Sequence, residues 1–131
     1  MYGLGLTEMH HRSFVKNLTW KLMNDNNDGL SRDQVRETFR RALNMWSEVT
    51  NLDFTEINGD NADILVRFVT GYHYDPYPFD GQGGTLAHAY FPGAGIGGDT
   101  HFDDSEHFTI NSYDGKYLST YDMFCIETSL N

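Results

Sequence analysis

HYDPYPFDGQGGTLAHAYFPGAGIGGDTHFDDSE, residues 73–106, gathers three histidines, six acids and seven glycines into one run. His73-x-Asp75 opens it in a loop rich in turn residues. His88 falls inside a candidate strand, Leu86–Phe91, and His101 inside another, Thr100–Asp103. Three imidazoles and one carboxylate complete a tetrahedral zinc site and leave no position for a water. A histidine on a strand is, taken alone, more often a satisfied core residue than a ligand. The four together point to a metal.

The carboxylates of the same run suggest a second ion. Asp80, Asp103 and Glu106 offer side-chain oxygens, and Gly81, Gly83 and Thr85 offer carbonyls; hard oxygen donors of this kind suit calcium. Asp63 and Asp99, with carbonyls from Gly95 and Gly97, form a possible second oxygen cage. Seven of the thirteen glycines lie between Gly81 and Gly98, where flexible backbone lets carbonyls turn toward a common centre.

Outward from this run the pattern is that of a sheet and one helix. Asn17–Asn24 alternates, with Leu18, Trp20 and Leu22 on one face, and reads as a half-buried strand. Asn24–Gly29 (NDNNDG) is a turn. It is not a calcium-binding EF-hand, because Val35 stands where a bidentate Glu is required. Ser31 with Gln34 forms a capping box, and Val35, Phe39, Ala42, Leu43, Trp46 and Val49 follow at helical spacing. Phe54–Ile57 and Asp63–Val69 are two more strands, the second with Ile64, Val66 and Phe68 inward. Five strands with a helix between the first and second predict an α/β sandwich with a mixed sheet. From Lys116 onward no clean period survives.

Composition narrows the function. The 131 residues form one domain with a formal charge of −10. Nothing resembles the basic stripe that nucleic acid requires. Between Asp60 and Glu106 eight acids face one base, Arg67. A solvated acidic surface accounts for that run, and so do bound divalent cations. Cys125 is the single cysteine, which excludes an internal disulfide framework and a cysteine-based zinc site. No stretch reaches the ~18 apolar residues of a membrane span, and no secretory leader is visible. Asn17-Leu-Thr matches the glycosylation acceptor pattern at the start of a strand, as short motifs often do.

The run from His73 to Glu106 resembles the metal-binding core of the matrix metalloproteinases, the matrixin branch of the zinc endopeptidases. ALNMWSEVTNLDFTEI (residues 42–57) and ADILVRF (residues 62–68) are similar to the helix and strand that precede that core. The resemblance covers Leu18 to Phe108. It implies a metzincin-like N-terminal subdomain, with a five-stranded twisted mixed sheet and one long helix. It implies that His73, Asp75, His88 and His101 hold a structural zinc. Asp80, Gly81, Gly83, Thr85, Asp103 and Glu106 would hold one calcium, and Asp63, Gly95, Gly97 and Asp99 another. Asp28, Asp104 and Glu106 match a third calcium site, with a turn near Asp28 one residue longer than usual. Leu86 and Ala87 match the edge strand along which the family lays its substrate antiparallel, by β-augmentation. Extracellular matrix proteins, peptides and protease inhibitors are the implied partners, in an extracellular setting.

The family's chemistry resides on a following helix, H-E-x-x-H-x-x-G-x-x-H, whose Glu activates a zinc-bound water. The 131 residues contain no such motif. His10, His11 and His107 remain unassigned, and none belongs to an H-E-x-x-H. The pattern departs near Gly115, so residues 1–16 read as an extension, 17–108 as the matrixin-like portion and 109–131 as a divergent tail. A truncated, inactive metalloendopeptidase domain is the leading expectation. A non-catalytic, metal-stabilised module that binds a peptide or an inhibitor is the alternative. Without the missing helix, Ile64, Val66 and Phe68 are expected to be partly exposed, unless the tail covers them.

Overall fold

In a computed structural model the residues described are 15–110 together with 118–119. The elements are β1 (Lys16–Leu22), α1 (Arg32–Val49), β2 (Leu52–Glu56), β3 (Ile64–Val69), β4 (Ala87–Ala89), β5 (Thr100–Asp103), β6 (Phe108–Thr109) and β7 (Leu118–Ser119). The main sheet runs β2-β1-β3-β5-β4. Its first four strands are parallel and the edge strand β4 is antiparallel to β5. This is the expected five-stranded mixed sheet with one long helix. β6 and β7 pair separately, Phe108 with Leu118. The divergent tail and the N-terminal extension lie otherwise outside the described residues.

The helix begins where the capping box places it. The Ser31 hydroxyl accepts from the Gln34 N–H and the Gln34 side chain accepts from the Ser31 N–H, which satisfies two of the free amides of the first turn. Val35, Phe39, Ala42 and Leu43 are buried against the sheet. The apolar stripe ends sooner than its period suggested: Trp46 is half-buried and Val49 is exposed. The helix has outrun the sheet there. On its polar face, Arg36 and Arg40 both bond Glu56 of β2, tying α1 to an edge strand.

The core is aromatic. Phe39 meets Phe102 edge-on at 5.5 Å, Phe68 stacks on Phe102 at 5.3 Å, and Phe108 meets Phe68 edge-on at 5.8 Å. One expectation concerned this face: partial exposure of Ile64, Val66 and Phe68 unless the tail covers them, and the tail lies largely outside the described residues. Val66 and Phe68 are buried, at 1% and 2% exposure, and only Ile64 is half-buried. On that face Phe68 packs against Phe102 and Phe108, and Phe39 of α1 packs against Phe102.

Side chains alternate across a strand. Phe102 faces α1, so His101 faces the opposite side of the sheet. His88 is paired directly with it.

Candidate metal centre

His73, Asp75, His88 and His101 converge on that outer face. Among the described residues they are the one set of three or more such side chains whose donor atoms lie within 4.8 Å of one another. Asp75 Oδ2 lies 2.8 Å from His73 Nε2, 3.0 Å from His88 Nε2 and 3.0 Å from His101 Nδ1. His88 Nε2 is 3.2 Å from His73 Nε2 and 3.0 Å from His101 Nδ1. All four carboxylate and imidazole groups are largely buried.

Different local devices aim each donor. His88 and His101 are fixed by the β4–β5 register. His73 and Asp75 reach the same point because Tyr74 between them takes a left-handed turn, φ +69°, a conformation uncommon outside glycine. His73 Nδ1 donates to the Gly71 carbonyl at 2.8 Å. A carbonyl can only accept, so Nδ1 carries the proton and the Nε2 lone pair points inward. Asp75 Oδ1 accepts from the Tyr77 N–H at 2.8 Å, leaving Oδ2 for the centre.

Two aromatic residues complete the site and were not visible in sequence. Phe79 is buried with its ring stacked on His73 (4.8 Å) and on His88 (4.7 Å). Tyr90 is packed edge-on to His88, and burial, with the Asp75 carboxylate beside it, pushes its phenol up to about 12. An aromatic residue in a P-F-D-G loop has no period to betray it. Only the fold shows that it clamps two imidazoles.

Electrostatics favour a cation. Burial holds the His88 and His101 rings below the ordinary histidine value, hence neutral at pH 7. Burial pushes the Asp75 carboxyl up, but the Tyr77 N–H, Tyr90 and the histidines outweigh it and hold the group below the usual carboxylate range. The donor spacing fits zinc: ligands at ~2.0–2.1 Å in a tetrahedron stand about 3.3 Å apart.

The calcium candidates sit in the loops beside β4 and β5. Asp80 accepts from the Thr85 N–H at 3.0 Å, and a Cβ at Gly84 would overlap its carboxylate. Gly81 and Gly83 adopt positive φ, 86° and 90°. Glu106 accepts from the N–H groups of Gly83 (2.7 Å) and Gly84 (3.2 Å). Asp103 is fully buried; its Oδ1 accepts from the Ser105 N–H and its Oδ2 has no hydrogen-bond partner. A buried carboxylate oxygen without a partner is costly, and a cation would satisfy it.

The remaining candidates are placed differently. The Asp63 carboxylate accepts from the Thr19 N–H and hydroxyl, both at 2.8 Å. What Asp63 brings to the 95–98 loop is its carbonyl, which sits against Gly98. Asp99 is buried, with Oδ1 accepting from the Leu65 N–H. Asp28 bonds His107 Nδ1 (2.7 Å) and the Phe108 N–H (2.9 Å), while Asp104 accepts from the Asn27 N–H. Burial first, then the neighbouring Asp28 and Asp103 charges, push the Asp104 carboxyl up. Glu106, the third member proposed with them, accepts from Gly83 and Gly84 through Oε1.

Leu86 and Ala87 divide. The Leu86 carbonyl accepts from the Asp103 N–H and the Tyr90 N–H donates to the Asp99 carbonyl. Antiparallel pairing alternates, so positions 86, 88 and 90 bond inward to β5. Ala87 and Ala89 present their main-chain groups outward, at the free edge.

The matrixin family model matches residues 11–128, beyond both ends of the stretch that carried the resemblance. The chain is 52% identical over 98 residues to interstitial collagenase of Bos taurus, which covers 75% of this chain and 21% of that protein. Interstitial collagenase of Sus scrofa is 48% identical over 97 residues, 74% of this chain and 20% of that protein. Matrix metalloproteinase-9 of Canis lupus familiaris is 45% identical over 106 residues, 81% and 14% respectively. The chain thus spans about a fifth or less of the curated relatives it matches. It belongs to the matrixin family, as a metalloprotease-type domain.

Proposed function

We propose that these 131 residues form a zinc- and calcium-stabilised matrixin domain that binds extended peptide along β4 and, by themselves, do not cleave it. The convergence of four protein donors on one point carries this reading. His73, Asp75, His88 and His101 would hold zinc; bound there, the ion supplies folding free energy and no activated water. Asp80, Asp103 and Glu106, with carbonyls of Gly81, Gly83 and Thr85, would hold calcium and join the two loops flanking β4 and β5. Asp63, Gly95, Gly97 and Asp99 would hold another through the Asp63 carbonyl, and Asp28, Asp104 and Glu106 a third.

Peptide binding rests on the free edge. Ala87 and Ala89 offer N–H and C=O groups to an added strand. A cleft of about 580 Å³ opens alongside, lined by Pro76, Tyr77, Thr85, His88, Tyr90 and Phe91, where a bound peptide's side chain would lodge. The partners are matrix proteins of the collagen-like class, or a protease inhibitor offering an extended segment, in an extracellular setting. Among the described residues no helix is long and apolar enough to cross a membrane.

Hydrolysis needs an open coordination position, a water and a general base beside it. The tetrad offers no open position and the sequence contains no H-E-x-x-H. The test is a fluorogenic matrix-type peptide incubated with the zinc- and calcium-loaded chain. The expected rate equals a metal-free blank, while the uncleaved peptide binds. Cleavage that a zinc chelator abolishes, and a serine-protease inhibitor does not, overturns the proposal.

A further inference from the structure

We infer that Asn17 is an N-glycosylation acceptor on the outer face of the sheet, an inference that rests on the extracellular reading above. Asn17-Leu18-Thr19 is the only Asn-x-Ser/Thr in the 131 residues, and its middle residue is not proline. A sequon at the start of a strand is poor evidence by itself, because a sheet can bury it. Here the sheet does the opposite. Leu18, Trp20 and Leu22 take the α1 face of β1, so Asn17 and Thr19 take the other, where Asn17 is exposed.

The bonding of Asn17 is compatible with a sugar. Its Oδ1 accepts from the Thr55 hydroxyl at 2.9 Å. Its Nδ2 makes no hydrogen bond among the described residues, and Nδ2 is the atom that is glycosylated. A glycosylated amide keeps its Oδ1 and one N–H, so the Thr55 bond survives. The neighbours on that face, Asp53 and Thr55 of β2, are short, polar and exposed.

The covalent step uses a lipid-pyrophosphate-linked oligosaccharide delivered by the transferase of the secretory pathway. The Asn17 Nδ2 forms a bond to C1 of the first N-acetylglucosamine while the C1–O bond to pyrophosphate breaks. The lipid pyrophosphate leaves with the bonding pair, and the amide gives one proton to the transferase's base. Thr19 is the hydroxyl residue the transferase reads on the emerging chain. In the folded sheet the same hydroxyl donates to Asp63 and accepts from its N–H, so its two roles are separated in time.

The glycan would stand clear of the metal centre and of the peptide edge. Leu22 aligns with Val66, and Arg67 aligns with His101, which sets Asn17 six positions back along the sheet from His101. At ~3.3 Å per residue that is about 20 Å, and two strands across as well. β4 lies at the opposite edge of the sheet.

Translating the full chain behind a cleavable leader, with microsomes, tests the acceptor whatever the chain's native location. Wild type and Thr19→Ser should each show one upshifted species that peptide N-glycosidase collapses, with Asn17 converted to Asp in the released peptide. Asn17→Gln and Thr19→Ala should show none. An unmodified wild-type chain, beside a control sequon modified in the same reaction, overturns the inference. So does a glycan that persists in Asn17→Gln.

Discussion

His73 Nε2 and Asp75 Oδ2 stand 2.8 Å apart, two acceptor atoms head to head. The proton of the His73 ring is committed to Gly71. A cation between them would make the contact favourable. A proton could bridge this one pair, but His88 Nε2 and His101 Nδ1 point to the same place. Neutral rings there can donate to Asp75 Oδ2 when the site is empty, and a divalent ion would use all four as ligands.

The metal-free chain should therefore be acid-sensitive. Burial keeps His88 and His101 neutral in the fold, while the unfolded rings take protons near pH ~6.5. Below that pH the unfolded chain binds more protons, so stability falls as pH drops. Asp75 adds a second loss: its folded pKa is depressed, so its contribution is present above ~3.9 and disappears as pH falls through the folded value. A melting temperature in chelator that stays level from about pH 7.5 to about pH 5.5 would contradict the first part.

Phe79→Ala should loosen the centre without removing a ligand. The ring braces His73 and His88 from one side. Losing such outer support typically lowers metal affinity ~10–100-fold, and a buried Phe→Ala also removes ~3–5 kcal/mol of stability. Competition titration against a chromophoric chelator reads the affinity. An unchanged affinity would reduce Phe79 to ordinary packing.

Calcium should raise the melting temperature, and saturation at 100 times the dissociation constant adds about 2.7 kcal/mol per site. Asp80→Asn should cut the gain. Asp60→Asn should spare it, because Asp60 is exposed and paired with Lys21. Gly84→Ala should cut it as well, since the added methyl displaces the Asp80 carboxylate. Equal gains in wild type and in both Asp80 and Gly84 variants would refute this site.

Glu56 offers a metal-independent check. Burial raises its pKa, but the Arg36 and Arg40 bonds outweigh burial, and the net direction is down. Its contribution is present above the ordinary Glu value of ~4.3 and is lost as pH falls through the lower folded one. Glu56→Gln should melt below wild type at neutral pH, and the gap should close in acid. A gap independent of pH would point to packing instead.

Much of this was legible in the sequence, for physical reasons. The capping box and the 3.6-residue stripe marked the start of α1, and His73, Asp75, His88 and His101 stood out because metal ligands come from few residue types. The end of the stripe at Val49 was not legible, because it depends on where the sheet stops. Nor was the aromatic cluster around Phe68, where Phe39, Phe102 and Phe108 gather from distant parts of the sequence. The outward groups at Ala87 and Ala89 rather than Leu86 turn on register parity, where a slip of one residue exchanges the inward and outward sets. Phe79 and the turn at Tyr74 carry no pattern at all.

Zinc stoichiometry tests the central claim most directly. The full chain, saturated with zinc and passed through a desalting column, should retain one ion per chain by elemental analysis, and His88→Ala should retain none. Two tightly held ions in wild type, or one still held by His88→Ala, would contradict a single closed site built from His73, Asp75, His88 and His101.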